Sequence, residues 1–187
     1  MTAEPSKDVP SASSNLTKLQ RLPGLLAIIV FLLDQATKQL VLHLWPTPGS
    51  IGPTVIPGFF TLVHFQNRGA AWGMFSQHTW LLGCLSAAAF LLLAFFFDRL
   101  TERRPVLCLC YGLLLGGIAG NMFDRFFRPG VIDFLFFYFR DFNHAWPAFN
   151  VADSAITCTI ILILIDGLCR PNSPKPETEA PAEPPNA

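Results

Sequence analysis

Four long apolar stretches constrain this chain more than any other feature of its sequence. A helix that crosses a membrane needs about 20 consecutive, mainly apolar residues, and the stretches that qualify are 22–44, 79–97, 105–123 and 147–168. None of them shows the alternation of an amphipathic strand, and backbone exposed to lipid has to satisfy its own hydrogen bonds. The sequence therefore predicts an all-α membrane protein with four transmembrane helices.

The composition agrees with this class. The 187 residues are 51% hydrophobic and 14% charged, whereas soluble domains carry about 25% charged residues. The formal net charge is zero and no basic stripe occurs, so a nucleic-acid partner is not expected. The five cysteines show no C-x-x-C spacing, and the sequence predicts neither a disulfide framework nor a zinc site.

The distribution of lysine and arginine predicts the orientation. Eight of these residues lie in the two terminal segments and in the link between the second and third stretches, and four lie in the other two links: Lys7, Lys18, Arg21, Arg99, Arg103, Arg104, Arg170 and Lys175 against Arg68, Arg125, Arg128 and Arg140. The positive-inside rule then places both termini in the cytoplasm and the links 45–78 and 124–146 outside. We expect a polar cytoplasmic tail at 1–21, a membrane domain at 22–170 and a disordered cytoplasmic tail at 171–187, which is rich in Pro and Glu.

Polar residues interrupt or adjoin the apolar stretches at one depth, near the predicted outer face. Asp34 and Lys38 lie four residues apart and share one helix face. Asn150 and Asp153 lie three residues apart and also share a face. The sequence also places Asn121, Asp124 and Arg125 at the end of the third stretch. A charged group at membrane depth costs about 2.5–3.5 kcal/mol, so such residues are candidates for function.

Each candidate has a structural alternative. Asp34 and Lys38 can neutralise each other, which favours a structural role, and Asp124 with Arg125 can fix the following turn through hydrogen bonds. Asp153 has no basic residue within a helical turn, and it is the strongest functional candidate. Asp133 lies in a β-branched and aromatic segment, 131–139, that can form a strand; the residues alone leave open whether it is functional or merely exposed.

Two neighbouring carboxyl groups in a low dielectric share a proton, and such a pair can activate water and polarise a carbonyl group. Other catalytic classes fit poorly. There is no H-E-x-x-H motif for a metal and no G-x-S-x-G motif for a serine nucleophile. The four histidines flank the apolar stretches. We therefore expect neither a metal nor another cofactor.

Five separated motifs carry a resemblance to a known family: LDQATK at 33–38, NRGAAWG at 67–73, GNMFDR at 120–125, VIDF at 131–134 and FNVADSAI at 149–156. In this order they resemble the bacterial lipoprotein signal peptidase family, also called signal peptidase II, over about residues 22–168. The resemblance implies an intramembrane aspartic endopeptidase.

The resemblance also implies roles for individual residues. Its catalytic pair falls on Asp133 and Asp153, and Asp124 matches a structural position. The remaining matches would bind substrate or support the site: Asp34, Lys38, Asn67, Gly69, Asn121, Arg125 and Asn150. Gly69 with Ala70 and Ala71 would permit close approach of the substrate. The family fold adds a small outward-facing β-cradle, here from residues 50–78 and 131–139, and a short lid helix.

The implied substrate is a prolipoprotein whose cysteine already carries a diacylglyceryl group, cut just before that cysteine. The implied location is the bacterial inner membrane, with the site near the outer face, membrane lipid as a partner and a monomeric enzyme. Two alternatives remain from the residues alone. One is a small proton-coupled transporter that uses buried carboxylates, although the sequence lacks the inverted repeat typical of many transporters. The other is an assembly factor whose polar residues join helices.

Overall fold

The structure is a computed structural model that describes residues 12–69, 75–102 and 104–169, with only the backbone described for residues 12–20. Within these residues the helices and strands are α1 (Ala12–Leu44), β1 (Ser50–Ile56), β2 (Phe60–Asn67), α2 (Thr79–Phe95), α3 (Phe97–Thr101), α4 (Pro105–Phe127), β3 (Val131–Phe139), β4 (Asp141–Ala145) and α5 (Val151–Leu168). The protein is thus mostly helical with one small sheet. The predicted tail at 171–187 lies outside the described residues.

Three of the helices are long and apolar enough to cross a membrane: Arg21–Leu44 of α1, and all of α4 and α5. Helices α1 and α5 expose large apolar side chains along their lengths, and Leu32 and Leu164 are more than half exposed, whereas α4 exposes such side chains only near its two ends. Such surfaces are stable in contact with lipid, and the protein is membrane-embedded. The fourth predicted span, α2, is apolar but has 17 residues, so the structure does not confirm it by length.

Several helix boundaries differ from those predicted. α1 begins at Ala12 and α4 continues to Phe127, because apolar composition marks the hydrocarbon layer and not the ends of a helix. α5 begins at Val151, so the predicted start at Pro147 is wrong. The preceding segment is held extended instead, since Phe149 exchanges backbone hydrogen bonds of 2.9 and 3.0 Å with Leu135 of β3.

Helix α4 lies at the centre of the bundle and packs against α1, α2 and α5. Glycines allow this close packing. A Cβ atom at Gly116 would lie 2.7 Å from the carbonyl oxygen of Ala27 in α1, and one at Gly117 would lie 2.6 Å from that of Ala152 in α5. Small residues at such contacts are typical of membrane helices, where close backbone approach replaces the hydrophobic effect.

The sheet is antiparallel with the order β1–β2–β3–β4, which agrees with the small sheet predicted from 50–78 and 131–139. It lies at the end of the bundle where α1 and α4 end and α2 and α5 begin, here called the sheet end. Because α4 leads into β3 through three residues, 128–130, the end of this helix and the start of this strand stay close together. Asp133 enters the site from the strand, where it pairs with Phe65 of β2.

The lid helix implied by the resemblance is not found among the described residues at the sheet end. Between α4 and α5 the chain forms a hairpin of β3 and β4. Between β2 and α2, residues 70–74 lie outside the described part, and so do Ala70 and Ala71 of the predicted close approach.

Candidate active site

A buried polar cluster occupies the sheet end of the bundle, where α1, α4, β3 and the start of α5 meet. Its members are Asp34, Lys38, Asn121, Asp124, Asp133 and Asn150, each at most 6% exposed. Asp153 borders the cluster and faces a cleft. The structure therefore brings together residues that are more than 100 positions apart in the sequence, as the predicted common depth requires.

Lys38 is fully buried, and its ammonium group contacts three acceptors. Its Nζ atom lies 2.8 Å from Oδ2 of Asp34, 2.9 Å from Oδ2 of Asp124 and 3.0 Å from Oδ1 of Asn121. The predicted pairing of Asp34 with Lys38 is thus confirmed, and Lys38 also joins α1 to α4. Since an ammonium group has three donors and no acceptor, every donor of Lys38 has a partner.

Asp34 also links α1 to the start of α5. Its Oδ1 atom accepts a hydrogen bond of 2.9 Å from the backbone N–H of Ala152. The first N–H groups of a helix have no partner within the helix, so this carboxylate satisfies one of them. The start of α5 is thereby held against α1.

Asp124 fixes the turn from α4 into β3. Its Oδ2 atom accepts a hydrogen bond of 3.1 Å from the backbone N–H of Ile132, and its other oxygen accepts one from Arg128. The sequence predicted that Asp124 fixes this turn by hydrogen bonds, and the contact to Ile132 confirms this. The turn places Asp133, the next residue, inside the cluster.

Asn150 contacts both Asp133 and Asp153. Its Nδ2 atom donates to Oδ1 of Asp133 at 2.7 Å, and its Oδ1 atom accepts from the backbone N–H of Asp153 at 2.9 Å. Asp153 in turn accepts from the backbone N–H of Asn150 at 3.3 Å. The two residues form a reciprocal capping box at the start of α5. This cap orients Asp153 toward the cluster, and Asn121 donates to its Oδ1 atom at 2.7 Å.

Asp133 is only 3% exposed, so the alternative that it is a simple surface residue is wrong. Burial, and after it the negative charge of nearby Asp153, raise the pKa of its carboxyl group from 3.8 to about 7. Hydrogen bonds from Asn150 and Asn67 and the charge of Lys38 oppose this rise. Near neutral pH Asp133 thus retains a proton that an ordinary aspartate has lost.

This raised pKa predicts a pH-dependent gain in stability for Asp133→Asn. Folding favours protonated Asp133, so its stabilising contribution is complete below pH about 4 and is lost as the pH rises through about 7. The amide side chain of the variant cannot ionise, so the variant does not lose stability in this way as the pH rises. Its free energy of unfolding should match that of the wild type near pH 4 and exceed it by roughly 2–4 kcal/mol at about pH 8.

Thermal unfolding of both proteins in detergent at these two pH values measures the difference. The matched control is Asp141→Asn, since Asp141 is exposed on β4. A constant difference between Asp133→Asn and the wild type across this range contradicts the raised pKa.

Two cavities meet at Asp153 and Arg125. The larger, of about 530 Å³, is lined by these two residues with Asn67, Gly69 and Trp146 among others. The smaller, of about 400 Å³, lies between α2, α4 and α5 and is lined mainly by apolar side chains. Asp153, which borders the cluster, is therefore reachable from two sides.

Arg125 and Asn67 shape the wall of the larger cavity. Arg125 donates to the backbone oxygen atoms of Asn121 at 3.3 Å and Gly69 at 3.4 Å. Asn67 accepts from the backbone N–H of Gly69 at 3.1 Å and donates to Asp133. These contacts hold the end of β2 against α4.

Two further residues contact the cluster, and the sequence does not predict either of them as part of the site. Gln35 lies 3.0 Å from Oδ2 of Asp34 and 3.3 Å from Oδ1 of Asp124. Arg128 binds Asp124, four residues earlier on α4. The spacing of four could have revealed Arg128, whereas no sequence signal separates Gln35 from an ordinary polar neighbour of Asp34.

Comparison with known proteins identifies similar chains. A family model described as signal peptidase (SPase) II matches residues 26–169. A lipoprotein signal peptidase from Symbiobacterium thermophilum is 38% identical over 140 residues, which cover 75% of this chain and 90% of the relative. Another lipoprotein signal peptidase, from Teredinibacter turnerae, is 36% identical over 146 residues, which cover 76% of this chain and 84% of the relative.

Two solved structures described as bacterial membrane enzymes have similar folds. Both are 30% identical to this chain. For the first, the TM-score is 0.70 and the match covers 79% of this chain and 87% of the solved chain. For the second, the TM-score is 0.68 and the match covers 80% of this chain and 94% of the solved chain. The similarity therefore extends over nearly all of the described residues.

Proposed function

The chain belongs to the signal peptidase II family of membrane-embedded aspartic peptidases, and we propose that Asp133 and Asp153 are the catalytic pair with which it cleaves prolipoproteins. The observation that carries this assignment is the position of Asn150, which contacts both residues. Asp153 also lines the cleft, while Asp133 lies behind it with a pKa of about 7. The transporter alternative has no support from the relatives.

The proposed reaction is attack by water on the scissile carbonyl group without a covalent intermediate. Ionised Asp153 accepts a proton from the attacking water, and protonated Asp133 donates a hydrogen bond to the carbonyl oxygen and then its proton. As the tetrahedral intermediate collapses and its C–N bond breaks, Asp153 gives its proton to the amine nitrogen of the leaving cysteine residue, and one hydroxyl group of the intermediate returns a proton to Asp133. Two carboxyl groups that share one proton are suited to both tasks.

The supporting residues have separate tasks in this proposal. Asp34, Lys38 and Asp124 hold α1, α4 and β3 together, and Asn121 and Asn150 orient the two catalytic carboxyl groups. Asn67, Gly69 and Arg125 line the larger cavity and would contact the substrate backbone.

The proposed substrate is a precursor whose cysteine carries a diacylglyceryl group, cut just before that cysteine. Its signal peptide is itself an apolar helix that can lie among the membrane helices. The smaller cavity opens between α2 and α5 beside Asp153, which gives a membrane-embedded segment a route to the cleft.

The proposed topology places the enzyme in the bacterial inner membrane as a monomer, with the sheet end outward and both termini in the cytoplasm. The excess of Lys and Arg at the opposite end of the bundle supports this orientation. Helix α2 would be the fourth span. Its 17 residues extend about 25 Å at 1.5 Å per residue, a little less than the hydrocarbon layer of about 30 Å.

The test is cleavage by the purified protein in detergent, without an ion gradient, of a precursor carrying the diacylglyceryl-modified cysteine. Mass spectrometry should find one product that begins with the modified cysteine, whereas the same precursor without lipid should be cut far more slowly. Activity should decline above pH about 7 as Asp133 loses its proton. Failure to cut the lipidated precursor would contradict the proposed function.

A further inference from the structure

We propose that Lys38 is a positioning residue that acts on Asp153 through the side-chain amide of Asn121. The ammonium group of Lys38 fixes the direction of this amide, and the amide then stabilises Asp153 as the ionised base of the reaction. Lys38 lies too deep to touch substrate, since it is fully buried and lines neither cavity described above. The inference rests on the proposed function.

The third contact of Lys38 is not an ion pair. Asp34 and Asp124 already neutralise its charge, so ion pairing alone accounts for two of its three donors. The third donor is directed at Oδ1 of Asn121 at 3.0 Å. Because an ammonium group can only donate, the atom of Asn121 that faces it has to be the carbonyl oxygen.

The opposite end of the same amide contacts Asp153. With its oxygen toward Lys38, Asn121 presents Nδ2 to Oδ1 of Asp153 at 2.7 Å. A flipped amide would place NH₂ against the ammonium group and its oxygen against a carboxylate, and both contacts would be repulsive. Asn150 stabilises the same orientation, since its Nδ2 atom also donates to Oδ1 of Asn121 at 3.2 Å.

The surroundings of Asp153 favour its ionised form. Both of its oxygen atoms accept hydrogen bonds, one from the Asn121 amide and one from the backbone N–H of Asn150. It also lies in the first turn of α5, where the helix dipole favours a negative charge. Donors directed at both oxygens and the helix dipole together favour the carboxylate at Asp153. Asp133 also accepts from an amide, but it lies in a strand without such a dipole, so the shared proton belongs on Asp133.

The experiment measures the pH profile of kcat, and KM, for two variants beside the wild type. The first is the double variant Lys38→Gln with Asp34→Asn, which removes one positive and one negative charge and leaves Asp124 paired with Arg128. The second is Asn121→Asp, which is nearly isosteric and keeps an oxygen facing Lys38, but replaces the donor that faces Asp153 with an acceptor.

In both variants we expect kcat to fall on the order of 100-fold with little change in KM. The acidic limb of the kcat profile should move to higher pH by roughly one pH unit, because Asp153 then ionises less readily. The matched control is Arg104→Gln, which breaks another interhelical ion pair, with Asp166, far from the site. This control should retain the wild-type profile whatever its stability.

An unmoved acidic limb in folded Asn121→Asp would overturn the proposal, as would an unmoved limb in the double variant. If the double variant does not fold, Asn121→Asp alone can still overturn the proposal. It preserves all three contacts of Lys38, so an unmoved limb would show that the amide through which Lys38 acts does not control Asp153. Failure of the proposed function is distinguishable, because either the wild type would not cut the lipidated precursor or Asp133→Asn and Asp153→Asn would cut it as fast as the wild type. If those two are inactive and the limb is unmoved, only the role of Lys38 is refuted.

Discussion

Asp153→Asn is expected to lower kcat for precursor cleavage by roughly 10²–10⁴-fold, the range of general acid–base catalysis. An asparagine oxygen can still accept the hydrogen bond that Asn121 donates to Asp153, so the variant should fold. It cannot accept a proton from water, however, and the reaction loses its base. Asp133→Asn should be inactive to a similar degree, because its amide cannot supply the proton that Asp133 donates.

The rates should be compared at equal amounts of folded protein, with Asp141→Asn as the matched control. Asp141 carries the same functional group on β4 but is exposed and pairs with His144 at the surface. The Asp141→Asn protein should cleave the precursor at the wild-type rate. An assembly factor that uses these residues only to join helices would tolerate Asp153→Asn. Precursor processing that proceeds at the wild-type rate in this variant would therefore favour that alternative.

Lys38→Met should have the largest effect on stability, a loss of about 3–5 kcal/mol in the free energy of unfolding. The substitution leaves Asp34 and Asp124 buried with their shared cation removed. Asp124 retains Arg128, but Asp34 keeps only neutral hydrogen-bond donors. A buried carboxylate without a charged partner has lost the interaction that compensates for its desolvation.

Unfolding of purified protein in detergent, by heat or denaturant, measures this loss. Arg104→Gln is again the control, and its loss should be smaller because the Arg104–Asp166 pair is partly exposed. Adding Asp34→Asn to Lys38→Met should restore part of the stability by removing the stranded charge. A Lys38→Met protein as stable as the wild type would contradict the account of the cluster.

Much of this site could be predicted from local spacing. The pairing of Asp34 with Lys38 follows from four residues on a helix, and the common depth of the polar residues follows from their distances to the ends of the apolar stretches. The hydrogen-bonded turn after Asp124 follows from its position at a helix end. These predictions succeed because each depends on positions within a single helix or at its end and not on how distant segments pack.

The rest depends on contacts between distant segments. Asp133 could not be distinguished from a surface aspartate, because its burial results from the pairing of β3 with β2 and from the hydrogen bond of Asn150. The start of α5 was misplaced at Pro147 for a similar reason. Proline is favoured in a first helical turn, but the bridge between Leu135 and Phe149 keeps that segment extended until Asn150 caps the helix.

The central claim is that Asp133 and Asp153 act as one catalytic unit, and the most direct test is kcat for the double variant beside both single variants. Residues that act together lose nearly all activity when either is replaced, so their effects do not multiply. We predict that Asp133→Asn with Asp153→Asn is about as slow as either single variant. A double variant slower by the product of the two single effects would contradict the claim, as would normal cleavage by Asp133→Asn beside a folded but inactive Asp124→Asn.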